Sequence, residues 1–222
     1  MARRPAPRLT KKRLQKLLAT EQEFWSRGLH GVAGIDEVGR GPLAGPVVAA
    51  AVVMPLNCAI CGADDSKRLT QKQRDELDAE IRSTARAFGI GAASAREIDQ
   101  LNIRRATALA MQRAIGRLGV LPDHLLVDGL TVPELGLEWQ TAIVEGDHKV
   151  HSIACASIVA KVCRDHLMRR LAARYPLYGW ERNKGYGTAE HLAALREHGP
   201  TPHHRRSFHV SEQISLELIP PE

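Results

Sequence analysis

Residues 152–174, SIACASIVAKVCRDHLMRRLAAR, limit the possible folds most. Their spacing predicts one helix whose first three turns are apolar almost all round. Such a helix has to be buried, here against a sheet. Strands for that sheet are predicted over GVAGID and PVVAAAVVM, antiparallel and joined by a Gly/Pro-rich loop, then over FGIGAASA, HLLVDG and QTAIVEGD. Further helices are expected over LTKKRLQKLLATEQEFWS, with Leu14, Leu17 and Leu18 as its apolar stripe, and over LTQKQRDELDAEIRSTA, capped by Thr70. AREIDQLNIRRATALAMQRAIGRLG reads as one long helix stopped by Gly119, and a short helix falls near TAEHLAALREHG. Paired strands followed by strands alternating with helices predict an α/β layered sheet with helices on its faces and a small C-terminal addition.

Charge and cysteine usage narrow the class. The chain of 222 residues carries a net charge of +6, but residues 1–27 hold eight Lys/Arg against Glu21 and Glu23. Taking these from the totals of 31 and 25 leaves 23 of each sign in the rest. A basic N-terminal helical arm of this kind suits attraction to phosphate backbones. The longest apolar run, PVVAAAVVMPL, is too short to span a bilayer, so a cytoplasmic protein is expected. The four cysteines are expected as reduced thiols. Cys58 and Cys61 form a C-x-x-C, but Cys155 and Cys163 fall on the buried helix, so a four-ligand zinc site is not expected.

Four acids stand out by position. Asp36 and Glu37 close the first strand, Asp128 closes HLLVD, and Asp165 lies late on the buried helix. Carboxylates this close to a core are costly unless paired or bound to a cation, and all-oxygen ligands select Mg²⁺ or Mn²⁺. Singly, an Asp after a strand is ordinarily a turn former, and one acid on a buried helix ordinarily meets a Lys or Arg. Neighbouring strand residues also point to opposite faces, so Asp36 and Glu37 share a site only if the strand ends or bulges there. His148 and His151 read as solvated loop histidines ahead of a role in proton transfer or product release. Trp25, Trp139 and Trp180 read as packing residues.

The loop GRGPLAG has the Gly39, Gly41, Ala44 spacing of a dinucleotide fingerprint. That fingerprint opens a helix, whereas Gly45 and Pro46 here lead into a strand, and two carboxylates stand where phosphates would go. The loop is therefore read as one whose glycines admit a ligand close to the backbone, with Arg40 available to a phosphate.

Taken together, GIDEVGRGPLAGPVVAAAV, DSKRLT, LLVDG, SIACASIVAKVCRDHLM, NKGYGTAEHLAAL and HRRSF resemble the type 2 bacterial ribonucleases H, in the family's order over residues 30–208. The resemblance implies a ribonuclease H-like fold, a mixed central sheet flanked by helices. It divides the chain into a basic arm (1–27), a catalytic domain (28–187) and a C-terminal helical substrate-binding segment (188–222). It implies an endonuclease that hydrolyses the RNA strand of RNA/DNA hybrids. Single ribonucleotides embedded in duplex DNA are cut on their 5′ side, leaving 3′-hydroxyl and 5′-phosphate ends. Asp36, Glu37, Asp128 and Asp165 match the four acids that hold two divalent cations, Mn²⁺ or Mg²⁺. Gly39, Arg40 and Gly41 match the loop that senses the ribose 2′-OH, and Tyr186 matches the tyrosine that stacks on the next sugar. Lys67 matches a phosphate contact, and Arg205, Arg206 and Ser207 belong to the substrate-binding segment. The expected partners are RNA/DNA hybrid and DNA duplex containing ribonucleotides, met by a monomer away from membranes, with protein partners left open.

Two cations about 4 Å apart can activate a water on one side of the phosphorus and stabilise the leaving oxygen on the other. The 2′-OH is what separates the target from DNA. With nine aromatics in the chain, reading of backbone and sugar is favoured over base stacking. Two other functions fit less well: a DNA nuclease or strand-transfer enzyme on the same fold, and a hybrid-binding module without catalysis.

Overall fold

The computed structural model describes residues 11–63, 69–136 and 138–208. In chain order the elements are α1 (Lys11–Ser26), β1 (Val32–Val38), β2 (Val47–Val53), α2 (Gln71–Thr84), β3 (Ala87–Ala93), α3 (Ala95–Leu101) and α4 (Ile103–Gly116). There follow β4 (His124–Asp128), β5 (Gln140–Ile143), α5 (Gly146–Lys149), α6 (His151–Arg174), α7 (Trp180–Asn183) and α8 (Ala189–His198). The strands form one mixed sheet in the order β3-β2-β1-β4-β5. β1, β2 and β3 pair antiparallel, while β4 and β5 continue parallel to β1. Among the described residues no helix is long and apolar enough to cross a membrane.

Both faces of the sheet are covered, which is why β2 reads VVAAAVV without alternation. Val47, Ala49, Ala51 and Val53 pack with Ala106, Ala110 and Met111 of α4. Ala50 and Val52 turn the other way, to Ile81 of α2 and to Ala156, Ile158 and Val159 of α6. Each such large side chain, fully buried, contributes roughly 1.5–3 kcal/mol. The small residues let α6 lie close on the sheet. A Cβ at Gly34 would stand 2.1 Å from the backbone carbon of Ser152. That contact fixes where α6 crosses β1.

Three expectations change. The long helix predicted over residues 95–119 is two helices, α3 and α4, broken at Asn102 (φ +67), whose side chain accepts the N–H of Arg105 and so caps α4. An asparagine that satisfies a free amide from a cap position competes with helix continuation. β1 neither ends nor bulges at its acids: Asp36 pairs with Ala50 and Glu37 with Ala49 in unbroken register. His151 is not a solvated loop residue. It is fully buried as the first residue of α6, and its Nε2 accepts the Ile60 N–H at 2.9 Å.

The N-terminal helix is packed into the body of the fold, with Leu17, Leu18 and Phe24 buried. Val150, at the N-cap of α6, makes no side-chain cap, and Glu21 of α1 supplies one by accepting the Ser152 N–H at 2.8 Å. Arg13 adds a hydrogen bond to the His148 carbonyl at 2.9 Å. The three tryptophans pack as read: Trp180 is fully buried, and Trp25 and Trp139 lie against apolar clusters. The four cysteines are free thiols.

Candidate active site

Three parallel strands end side by side on one edge of the sheet, the place where open α/β sheets bind ligands. Ile35 pairs with Val127, so Asp36 and Asp128 follow one residue on in adjacent strands. Asp36 points to the α6 face, where the Ser157 side chain hydrogen-bonds it, and it is almost fully buried. Burial pushes its carboxyl well above the usual carboxylate range, and the charges of Glu37 and Asp128 add to the shift. Glu37 lies on the opposite face yet feels Asp128 as well. Burial raises its pKa, and an ion pair with Arg40 at 3.2 Å pulls against the rise. Asp128 accepts the Gly146 N–H at 2.6 Å. Glu37 and Asp128 line a cleft of about 360 Å³ with Arg40, Arg104 and Leu130. A cleft of about 430 Å³ between Pro46, Arg170, Arg174 and His203 contains no acid.

Asp165 does not join this group. Lys161 Nζ stands 2.8 Å from its carboxylate and Arg74 Nη2 3.9 Å away. It also lies eight residues beyond Ser157 on α6, about 12 Å along the helix. Sequence reading missed a buried acid at the right edge: Asp147, on α5, next to the Gly146 that donates to Asp128. The available signal was that QTAIVEGD, like GIDE and HLLVD, is a strand running into acids.

A divalent cation fits this donor set. Among the described residues no three His, Cys, Asp or Glu side chains already form a closed cage. However, Asp36, Glu37 and Asp128 crowd one another, and burial together with the charges of neighbouring acids pushes the carboxyls of Asp36 and Glu37 up. All are hard oxygen donors, as Mg²⁺ and Mn²⁺ prefer.

The glycine loop is held from behind by two buried guanidiniums. Arg164 donates to the carbonyls of Pro46 (2.9 Å), Lys184 (3.0 Å) and Ala44 (3.2 Å). Arg205 donates to those of Gly39 (2.5 Å), Arg40 (2.8 Å) and Gly45 (3.0 Å). Arg205 is thus occupied with the loop instead of facing solvent. Burial, and then the nearby charge of Arg164, pull its pKa down to about 9. Tyr186 is exposed and lies across the loop, with its Cε1 3.7 Å from where a Cβ on Gly41 would stand. The backbone N–H groups of Arg206 and Ser207 and the Ser207 hydroxyl donate to Asp99. Lys67 lies outside the described residues.

The family model described as ribonuclease HII matches residues 33–211. The chain belongs to the ribonuclease HII family. It is therefore a hydrolytic endoribonuclease on a ribonuclease H-like α/β fold. It is similar to the ribonuclease HII of Thermosynechococcus vestitus, 56% identical over 86% of this chain and 89% of that one. To the ribonuclease HII of Desulfitobacterium hafniense it is 50% identical over 92% of this chain and 78% of that one. Among solved structures, ribonuclease H2 from Pyrococcus horikoshii superposes with a TM-score of 0.71 at 25% identity, over 84% of this chain and 98% of that one. The Archaeoglobus fulgidus ribonuclease HII, solved in complex with PCNA, gives 0.66 at 27%, over 82% and 96%. Bst-RNase HIII, solved in complex with Mn²⁺, shares the fold at 17% identity, with a TM-score of 0.66 over 86% and 71%.

Proposed function

We propose that this ribonuclease HII family member hydrolyses RNA paired with DNA and nicks duplex DNA on the 5′ side of a single embedded ribonucleotide. The observation that carries the reading is the meeting of buried Asp36 and half-buried Glu37 and Asp128 with a clamped glycine loop. Asp36, Glu37 and Asp128 hold divalent cations, and Asp147 takes the place that Asp165 was expected to fill. Asp165 instead pairs with Lys161 one turn back on α6 and lies near Arg74 of α2. The cations would supply Lewis acidity at the scissile phosphate, and Mn²⁺ bound to the fold neighbour supports that choice.

The chain's own residues do the selecting. The backbone of Gly39, Arg40 and Gly41 offers donors and acceptors at the 2′-OH, and Tyr186 packs against the adjoining sugar. Arg40, oriented by Glu37, lies on the cleft side toward a phosphate. His151, whose buried ring is committed to Ile60, is left out of proton transfer. Arg205 positions the loop and does not touch substrate.

The test is a labelled DNA duplex carrying one ribonucleotide beside its all-DNA twin, with Mg²⁺, Mn²⁺ or EDTA. The expected result is a cation-dependent nick 5′ of the ribonucleotide only. Equal cutting of both duplexes overturns the sugar-reading role of the loop. No cutting by folded protein returns the binding-module reading.

A further inference from the structure

The backbone carbonyl of Tyr186 is reached from below by a series of hydrogen bonds that runs through two buried histidines. The Thr201 N–H donates to His204 Nδ1 at 2.9 Å, and the Thr201 hydroxyl lies 3.0 Å from the same nitrogen. The proton of a neutral His204 is therefore on Nε2, which faces His191 Nε2 at 3.0 Å. That His191 nitrogen also receives the Trp180 indole N–H at 3.0 Å, so it is an acceptor and His191 carries its proton on Nδ1. Nδ1 in turn lies 2.9 Å from the backbone carbonyl of Tyr186. The Trp180 and His204 N–H groups share the single lone pair of His191 Nε2, and the series ends at the Tyr186 carbonyl, which also accepts the Thr188 N–H at 2.8 Å. Both rings are buried, and His204 is held neutral, with its pKa pushed down to about 3 by burial first and His191 next.

The same short segment fixes the other half of the pocket. Arg205, the next residue, holds the carbonyls of Gly39 and Arg40, and its own N–H donates to Leu43 at 2.8 Å. Gly45 closes the connection by donating to the His203 carbonyl at 2.9 Å. Residues 201–205 thus tie Tyr186 and the glycine loop to one stretch of backbone.

We propose that His204, acting through His191, is a positioning residue that sets Tyr186 against the glycine loop and thereby sets the preference for a ribonucleotide followed by DNA. The proposal rests on the reading of Tyr186 and Gly39–Gly41 as the sugar-sensing pair. His204 touches no substrate. Its effect falls on the choice between substrates, because a side chain misplaced by about 1 Å can cost up to a hundredfold in rate where alignment matters.

The experiment measures kcat and KM on two substrates, a DNA duplex with one ribonucleotide and a uniform RNA/DNA hybrid, for the parent, His204→Leu, His204→Gln, Tyr186→Ala and the His204→Leu/Tyr186→Ala double variant. His204→Leu is expected to lower the single-ribonucleotide to hybrid ratio of kcat about tenfold, with KM within about twofold. The glutamine variant, which keeps a donor for His191, restores most of the ratio. The double variant is no worse than Tyr186→Ala alone, since both act on one element. If His204→Leu does not fold, His191→Leu breaks the same series and replaces it. An unchanged ratio in the folded leucine variant, with Tyr186→Ala impaired, overturns the positioning role alone. An unchanged ratio in Tyr186→Ala overturns the sugar-sensing reading and the positioning role with it. Additive losses in the double variant also overturn the proposal.

Discussion

A Cβ placed on Gly39 would stand 2.1 Å from Nε of Arg164, the buried guanidinium that holds three carbonyls around the glycine loop. Gly39 also has φ +92, a region costly to any residue with a side chain. Gly39→Ala is therefore expected to destabilise the fold by about 2–5 kcal/mol, from backbone strain and overpacking together. Urea unfolding reads this directly. Cleavage at a single ribonucleotide should fall at least about tenfold in the fraction that stays folded.

Asp128→Asn leaves an oxygen to accept the Gly146 N–H and removes one charge from the crowded edge. Folding and duplex binding should persist while cleavage drops by about a thousandfold or more. Near-native cleavage by this variant would remove Asp128 from the reaction. Unfolding midpoints give a second readout. A cation at a hundred times its Kd should stabilise the parent by about 2.7 kcal/mol, and EDTA should abolish the gain. The gain should shrink in Asp128→Asn.

Buried neutral histidine makes stability depend on pH. Burial lowers the pKa of His151 to about 4 from an ordinary value of 6.5. The unfolded chain therefore binds a proton that the folded chain refuses between those values. The contribution of His151 is fully present above about pH 6.5 and is lost as pH falls toward 4, at up to about 1.4 kcal/mol per pH unit. Asp36 works the other way, since its raised pKa makes folding easier as pH falls. Thermal midpoints of the parent and His151→Asn from pH 7.5 to 4 isolate the histidine part. The difference between the two should narrow by pH 4, and a constant difference contradicts this account.

Glu21→Ala should cost about 1–2 kcal/mol by leaving the first turn of α6 without the cap that Val150 does not supply. Hydrogen exchange at Ser152 should quicken by more than it does in the middle of α6. Equal protection in both proteins would take Glu21 out of that role.

Local pattern accounts for what was readable in advance. Apolar runs bounded by glycine gave the five strands, and Thr70 capped α2 as expected, with Gln73 completing the capping box. α6 begins and ends within one residue of the predicted helix. The break at Asn102 was missed because helical spacing continues through it, and only the hydrogen bond to Arg105 shows that the residue starts a new helix. At the site, Asp36, Glu37 and Asp128 were legible because each closes an apolar strand. Asp147 was overlooked because it does not close a strand: β5 stops at Ile143, and the acid is carried by the short α5 that follows. Asp165 was grouped with those three acids because helical spacing does not show that Lys161 Nζ and Arg74 Nη2 stand 2.8 and 3.9 Å from its carboxylate.

The sequence by itself determined the family, the α/β class, the strand-end acids and the glycine loop, all of which depend on residues near one another in the chain. Tertiary structure alone decided which acids share an edge, because parallel neighbours such as β1 and β4 are brought together by sheet pairing across about ninety residues. It also brought the Arg164 and Arg205 guanidiniums to carbonyls of the glycine loop, and His204 and His191 into line with the Tyr186 carbonyl. Their function is set by the direction of hydrogen bonds between distant segments, and no local spacing encodes that direction.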